Sequence, residues 1–373
     1  MKLDKMKAAI YYGPGDIRLK DIEFPQANPE GVVIKVKACG VCDILDIPVW
    51  KNRPEGGRGT GLARGHEFSG EIVEVGSQVT DFKVGERIFT EPVYRPCYKC
   101  EACKLKDYWR CTQGGENEVG KAIHGAFAEY LAIPFVTKMS AIRLPDTMSY
   151  HDLALIDHLS LGAALARRAE AEKMVVVIGQ DITGIGTVAF LKKRGVAKVI
   201  ACDISEIRRN ASEEAGADIV IDSLNQDLVQ AVMKETRGVG ADCVIIRDDR
   251  PIATLQAMSI VRNMGRIWTT GPEFLRLNPA LLPAQSAMSF PMPPDGNTFK
   301  EQAISLNPVY ASMQFGLRYG YKQPRWQEAL ELIQSGKCNS KKLVTHVFPL
   351  DKITEAFEVA SDPHESIKVL VEP

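Results

Sequence analysis

From Lys7 to about Pro145 the apolar positions come in short runs, "GVVIKVKAC", "GEIVEVGSQV", "RIFTEPV" and "FAEYLAIP", rich in β-branched residues and bounded by Gly, Pro or Asp. Branched side chains suit a pleated surface and the breakers mark turns, so this part is expected to be a β-rich, barrel-like domain. From Lys173 the rhythm changes. "MVVVIG" precedes "TGIGTVAFLKKRG", "AKVIACD" precedes "SEIRRNASEEAG", "ADIVID" precedes "QDLVQAVMKETRG", and "ADCVIIRD" precedes "IATLQAMSIVRNMG", followed by the strand "RIWTTG". Near-continuous apolar strands alternating with helical segments that end in Gly predict a doubly wound parallel sheet covered on both faces, an α/β architecture. Prolines in "PALLPAQSAMSFPMPPDGN", residues 279–297, forbid regular structure and predict a loop, either a surface insertion or a lid over substrate. The tail, "PRWQEALELIQSGK", "LDKITEAFEVASD" and "SIKVLVEP", ends in a strand able to rejoin the first domain. The expected organisation is one β-rich domain over residues 1–157 and 306–373, and one strand-and-helix domain over 158–305.

Composition narrows the class of function. A chain of 373 residues with 45% hydrophobic and 25% charged residues and a net charge of −1 has no broad electrostatic pull on nucleic acid or a membrane surface. The start, "MKLDKMKAAIYYG", lacks an apolar leader core, and no run of about eighteen apolar residues follows, so the cytoplasm is the expected compartment. Four of the nine cysteines, Cys97, Cys100, Cys103 and Cys111, crowd into "RPCYKCEACKLKDYWRC". A disulfide framework would spread its pairs, whereas four thiolates on tight turns make a closed tetrahedral site that suits structural zinc. An iron-sulfur motif would end in Cys-Pro, but Thr112 follows Cys111; the competing reading is a reduced lobe without metal.

The stretch "VVVIGQDITGIG" is laid out as a strand, a tight turn and a helix that opens at Ile182 and Thr183. Gly179 and Gly184 hold the outer positions of the Gly-x-Gly-x-x-Gly fingerprint, and Asp181 stands where the middle Gly lets a pyrophosphate approach the helix N-terminus. A carboxylate there weakens phosphate binding unless it turns away, and as an N-cap it has a structural role. Asp203 closes the next strand at the position of the acid that binds both ribose hydroxyls, which favours NAD over NADP. Arg208 and Arg209 are near enough in sequence to meet a 2′-phosphate, though arginines on a helix usually form a solvated face.

"KACGVCDILD" and "ARGHEFSGEIVEVG" put Cys42 on one segment and His66 with Glu67 on another. Singly, such a His is more often packed than ligating, and Cys39 alone would be a small buried hydrophobe. Taken with "CGVC", "GHEFSGEIVEVGSQVTDFKVGERI", the four-cysteine lobe, "GAFAEYLAIP" and "SGKCNSKKLVTHVFPLDKITEAFE", they make the chain resemble, nearly end to end, the zinc-dependent medium-chain dehydrogenases of the polyol, sugar and threonine type. The resemblance implies a GroES-like catalytic domain joined to a Rossmann domain. It implies a catalytic zinc on Cys42 and His66, with Glu67 as a ligand or adjacent carboxylate. In "ALIDHLSL", Asp157 takes the place of the family's ligating Glu and His158 that of its Pro. His158 is open to ligation, acid-base work or helix capping.

The resemblance also implies hydride exchange between NAD and a secondary alcohol or ketone of a small polyol, sugar or hydroxy amino acid, in a homodimer or homotetramer. Zinc stabilises the alkoxide from an open coordination position. Three departures stand out. Ile44 and Ile47 occupy the positions of the family's proton-relay hydroxyl and His, leaving Asp43, Asp46 or His158 as acceptors, unless both aspartates are solvated turn residues. Asp181 sits in the phosphate turn. In "IIRDDRP", where the family more often carries a Gly after the fourth strand, Asp248 and Asp249 put two charges near the expected adenosine half, which together with Asp181 predicts an acidic cofactor cleft. The alternative is a dehydrogenase-like protein whose alcohol oxidation is altered or lost, a specialised ketone reductase or a binding module.

Overall fold

The computed structural model describes residues 4–51, 60–90, 97, 99–104, 119–136, 141–248, 250–269, 297–299, 304–308 and 322–373. Apart from Asn297, the proline-bearing stretch expected as a loop or lid lies outside these residues. The chain divides into two compact units, Met1–Asp157 with Arg318–Pro373, and His158–Leu317.

The first unit opens with β1 (Lys5–Gly13), β2 (Asp16–Glu23), β3 (Val32–Gly40), β4 (Leu62–Ala63), β5 (Glu67–Val75), β6 (Arg87–Thr90), β7 (Tyr130–Ile133) and β8 (Ala141–Arg143). Short helices α1 (Asp46–Lys51), α2 (Glu101–Lys104) and α3 (Tyr150–Ala154) punctuate them, and α4 (Ile156–Ala169) leads into the second unit. A small antiparallel sheet runs β2-β1-β4. The larger sheet is centred on β3 and β5, whose inner side chains Ile34, Phe68 and Ile72 pack with Ile88, Phe127 and Phe357 and have almost no exposed surface. Each such burial contributes about 1.5–3 kcal/mol, which is why these runs read so clearly as strands.

The second unit contains β9 (Met174–Ile178), β10 (Lys198–Asp203), β11 (Ile219–Asp222), β12 (Ala241–Ile246), β13 (Val261–Thr269), β14 (Asn297–Phe299) and β15 (Ile304–Pro308). Between them lie α5 (Ile182–Lys193), α6 (Glu206–Glu214), α7 (Leu228–Glu235) and α8 (Pro251–Ile260). The sheet order is β11-β10-β9-β12-β13-β15-β14, with every pair parallel except β14 and β15. Val175, Val176, Val177, Val244 and Ile245 are fully buried, the burial on both faces that their unbroken apolar pattern predicts. The chain winds outward from β9 through β10 and β11, then resumes on the other side at β12. That reversal opens a crevice at the carboxyl ends of β9 and β12, where open α/β sheets bind ligands.

Two boundaries differ from expectation. Val261, expected inside a helix, begins β13 opposite Ala241; the register then jumps to Cys243 opposite Arg266, so residues 262–265 loop out, with Met264 at a φ of 61°. The parallel sheet also continues through β15, and the second unit runs to Leu317 rather than 305.

The return segment contributes helices Lys322–Gln334, Ser340–Leu343 and Ile353–Ala360, then β16 (Val344–Pro349) and β17 (Lys368–Glu372). As expected of the last strand, β17 rejoins the first unit, antiparallel to β3 with Leu370 opposite Gly40, and carries β16 on its outer edge. Several polar ties secure it, two of them at Asp152 and Glu67. Asp152, in the capping box of α3, accepts from the Ser149 hydroxyl at 2.7 Å and from the Ser340 N–H at 2.8 Å. The Lys368 ammonium, fully buried, pairs with the fully buried Glu67 carboxylate and donates to the Val41 carbonyl at 2.9 Å. Gly40 leaves room for this pair, since a Cβ there would overlap both the carboxylate and the lysine stem and displace them.

Both ties are testable. Replacing Lys368 by Met removes the buried counter-ion of Glu67 and is expected to cost about 3–5 kcal/mol in guanidinium unfolding, with part of the loss recovered by adding Glu67→Gln. A Lys368→Met protein as stable as wild type would contradict the pairing. Burial pushes the Asp152 carboxyl up, but the Ser340 and Ser149 hydrogen bonds outweigh it and hold the pKa below its ordinary value. Its contribution is therefore present above the unfolded pKa of about 3.9 and lost as pH falls through the lower folded one. Asp152→Ala is expected to lose about 1–2 kcal/mol near neutrality, the two proteins converging in strong acid; a gap independent of pH would contradict this.

Candidate active site

The first unit gathers a soft donor, an imidazole and a carboxylate at one end of its large sheet. The chain leaves β3 at Gly40 and turns through Val41 to Cys42, and Gly40 lies opposite Glu67, the first residue of β5. Cys42 Sγ, a His66 ring nitrogen and a Glu67 carboxylate oxygen lie within 4.8 Å of one another, all three residues buried. Sulfur, nitrogen and oxygen donors in that number suit zinc and leave a fourth position open.

Charge supports the fit. Burial pushes the Cys42 thiol well above its ordinary pKa, and Glu67 and Asp46 push it further, with Lys368 acting against them. Such a thiol ionises when a cation joins the group, because a metal ion stabilises the thiolate form. Burial would pull the Lys368 ammonium down; Glu67 and then Asp43 more than offset this and keep it charged.

Asp46 corrects one expectation. It is not a solvated turn residue: its carboxylate is buried, accepts the Cys42 N–H at 3.1 Å and pairs with the buried Arg64 at 3.2 Å. Arg64 in turn lies over the Tyr11 ring. The His66 Nδ1 is 4.0 Å from Asp46 and its Nε2 3.9 Å from Glu67, so the ring is framed by a carboxylate on each side. Asp43 is half-buried beside Cys42. Asp157, half-buried in the first turn of α4, is outside the Cys42, His66 and Glu67 group. Ile47 is buried and Ile44 half-buried, apolar where a relay would stand. Sequence reasoning missed Arg64 and Lys368. The only signal for Lys368 was a lysine inside the apolar strand "IKVLV".

In the four-cysteine lobe, the Cys100 N–H donates to Cys97 Sγ at 3.3 Å, which fixes the turn joining two of the thiols. Cys103 lies on α2, while its side chain and Cys111 are outside the described residues.

In the second unit, Gly179 follows β9 with a φ of 90°, and a Cβ there would come within 2.7 Å of the Asp248 N–H nitrogen, so only glycine serves this turn. Gly184, in the first turn of α5, packs against the Gly179 carbonyl, and Ile182 and Thr183 are buried. Asp181 is the N-cap of α5, its carboxylate accepting the Gly184 N–H at 2.8 Å. The same carboxylate is paired with Arg247, whose Nε is 3.2 Å away and whose Nη2 is closer still. Asp248 is likewise paired with Arg250, at 2.9 Å from Nε, and Asp249 lies outside the described residues. The expected acidic cleft is thus compensated at Asp181 and Asp248, because the arginines of "IIRDDR" supply the counter-charges.

Asp203, at the end of β10, accepts the Gln180 N–H at 2.6 Å and the Ser205 N–H at 2.8 Å, which fixes its carboxylate at the crevice. Arg209 is occupied with the Ile204 carbonyl at 2.7 Å and Asp222 at 3.0 Å, and Arg208 is half-buried on α6. His158 is buried on α4 with its Nδ1 2.8 Å from the Thr183 hydroxyl, a contact that sequence could not supply.

Both units have counterparts among known proteins. Residues 28–146 match the alcohol dehydrogenase GroES-like domain, and residues 183–335 the zinc-binding dehydrogenase domain. The chain is 28% identical over 373 residues to sorbitol dehydrogenase of Bacillus subtilis, covering 99% of this chain and 97% of that protein. It is 30% identical over 345 residues to L-threonine 3-dehydrogenase of Caldanaerobacter subterraneus, covering 90% of each. Among solved structures, 2R,3R-butanediol dehydrogenase from Bacillus subtilis superposes with a TM-score of 0.75 at 26% identity over 99% of both chains. A buried Cys-His-Glu cluster in a GroES-like unit, a glycine turn at the switch point of a parallel sheet, and relatives matched over nearly their whole length lead to one conclusion: the chain belongs to the zinc-dependent medium-chain dehydrogenase family.

Proposed function

We propose that the protein exchanges a hydride between NAD and the secondary alcohol or ketone of a small polyol, sugar or hydroxy amino acid, at a zinc held by Cys42, His66 and Glu67, and that it acts as a homodimer or homotetramer. The observation that carries this reading is the buried convergence of those three donors within 4.8 Å. The full-length relatives that oxidise sorbitol, butanediol and threonine support the substrate class. When bound, the metal polarises the reacting oxygen and the nicotinamide takes up or gives the hydride.

The chain's own residues do the rest. Asp46, paired with Arg64, holds the Cys42 turn and flanks His66, and so orients the donors. Lys368 offsets the Glu67 charge. In this reading Asp46, engaged by the Cys42 N–H and Arg64, is left out of proton transfer, and Asp43, next to Cys42, takes the alcohol proton. Asp157 and His158 remain proposed contributors to metal binding or proton transfer. A further zinc on Cys97, Cys100, Cys103 and Cys111 is structural. The carboxylate of Asp203, fixed by two N–H donors, supports ribose binding and hence NAD, and the engagement of Arg209 with Asp222 argues against a 2′-phosphate.

Ile44 and Ile47 favour a second reading, in which ordinary alcohol oxidation is replaced by reduction of one specialised ketone or by binding alone. Metal analysis and turnover separate the two. Wild type is expected to carry about two zinc ions per chain and His66→Ala about one, with NAD reduced by at least one polyol, sugar or amino alcohol in wild type and at least a hundredfold more slowly in the variant, on the order expected when a catalytic metal ligand is lost. Two zinc ions and tight NADH binding without any oxidation would favour the second reading. Equal zinc content in wild type and His66→Ala would refute the site.

A further inference from the structure

The residue that departs from the dinucleotide fingerprint, Asp181, is answered by Arg247 across the switch point of the second unit. Asp181 replaces a glycine at the N-terminus of α5, and Arg247 follows β12 on the neighbouring strand. Their side chains are 7% and 2% exposed and meet through two nitrogens, in the fork-on-carboxylate geometry that fixes both orientation and charge. Arg247 is itself anchored, its N–H donating to the Ile178 carbonyl at 2.7 Å, which places it directly beside the Gly179 turn. Asp181 in turn gives one oxygen to the Gly184 N–H.

The electrostatic consequence follows from position. A phosphate is drawn to a helix N-terminus by the helix dipole and its N–H groups. A lone carboxylate at the N-cap would cancel that attraction; a carboxylate locked in a buried bidentate pair with arginine is neutral as a unit. We propose that Arg247 is a binding determinant for the cofactor pyrophosphate: by holding and neutralising Asp181, it keeps the N-terminus of α5 attractive to phosphate in a turn that has lost its middle glycine. The proposal rests on the nicotinamide reading above. Arg247 is a positioning residue in this account and takes no part in hydride transfer.

Binding without turnover tests it. NADH is titrated by fluorescence, and ADP-ribose and adenosine by calorimetry, into wild type, Arg247→Met, Asp181→Asn and the double variant, at low and high salt. Arg247→Met is expected to weaken NADH and ADP-ribose about tenfold or more, with adenosine within about twofold of wild type, because adenosine has no phosphate to repel. Asp181→Asn is expected to change the same ligands in the opposite direction, with steeper salt dependence, since Arg247 is then uncompensated. The double variant should return near wild type. Should Arg247→Met fail to fold, the Asp181→Asn result still decides: ADP-ribose affinity that is unchanged or weaker overturns the proposal. So does an Arg247→Met protein that loses ADP-ribose and adenosine equally, or loses neither. Wild type that binds no dinucleotide would overturn the nicotinamide reading together with this one, whereas wild type that binds NADH as tightly as Arg247→Met overturns this one alone.

Discussion

Glu67 is a carboxylate with no exposed surface, and the buried Lys368 ammonium makes that placement tolerable. An isolated ionised group in such surroundings would cost several kcal/mol or lose its charge. The pairing fixes more than itself. It uses the room that Gly40 leaves, it places β17 against β3, and it holds Glu67 beside Cys42 and His66. Asp46 and Arg64 form a second buried pair on the other side of the cysteine turn. The candidate metal site is thus framed by two ion pairs, each of which fixes the direction of a donor.

The second unit uses the same device for a different purpose. Around Cys42, the buried carboxylates of Glu67 and Asp46 are each paired with a cation beside the candidate metal donors; at α5, Asp181 and Arg247 are paired where the proposed cofactor phosphate would lie. In each case the net local charge, rather than the presence of any one acid, decides what the site attracts. Counting acids in "GQDITGIG" and "IIRDDRP" therefore overstated the charge at Asp181 and Asp248, because Arg247, which only the fold brings to Asp181, and Arg250, two residues from Asp248, pair with them.

Much of the architecture was legible in the sequence because it rests on short-range patterns. The buried strand Met174–Ile178, the capped helix opening at Ile182 and the breaker at Gly195 all announce themselves within a dozen residues. Cys42, His66 and Asp203 were legible through their motifs. What escaped was long-range pairing. Nothing near Lys368 indicates Glu67, and nothing near Arg247 indicates Asp181; both depend on strand order. The start of β13 was misplaced for a related reason, since Val261 follows helix-like spacing and only its pairing with Ala241 makes it a strand. The Thr183 hydroxyl at His158 belongs to the same class, a contact between α4 and α5 across intervening chain.

The path of the chain gives the Lys368 pairing a consequence in time. The first unit is interrupted by the whole of the second, and the lysine that balances Glu67 arrives only with the last strand. On the ribosome, Cys42, His66 and Glu67 emerge early but have no counter-ion, while the uninterrupted second unit can close as soon as it is made, as domains generally do. The order of synthesis is therefore the reverse of the order of completion. The candidate metal pocket, encoded first, is finished last, and a nascent or truncated chain without β17 would lack the lysine that pairs with Glu67.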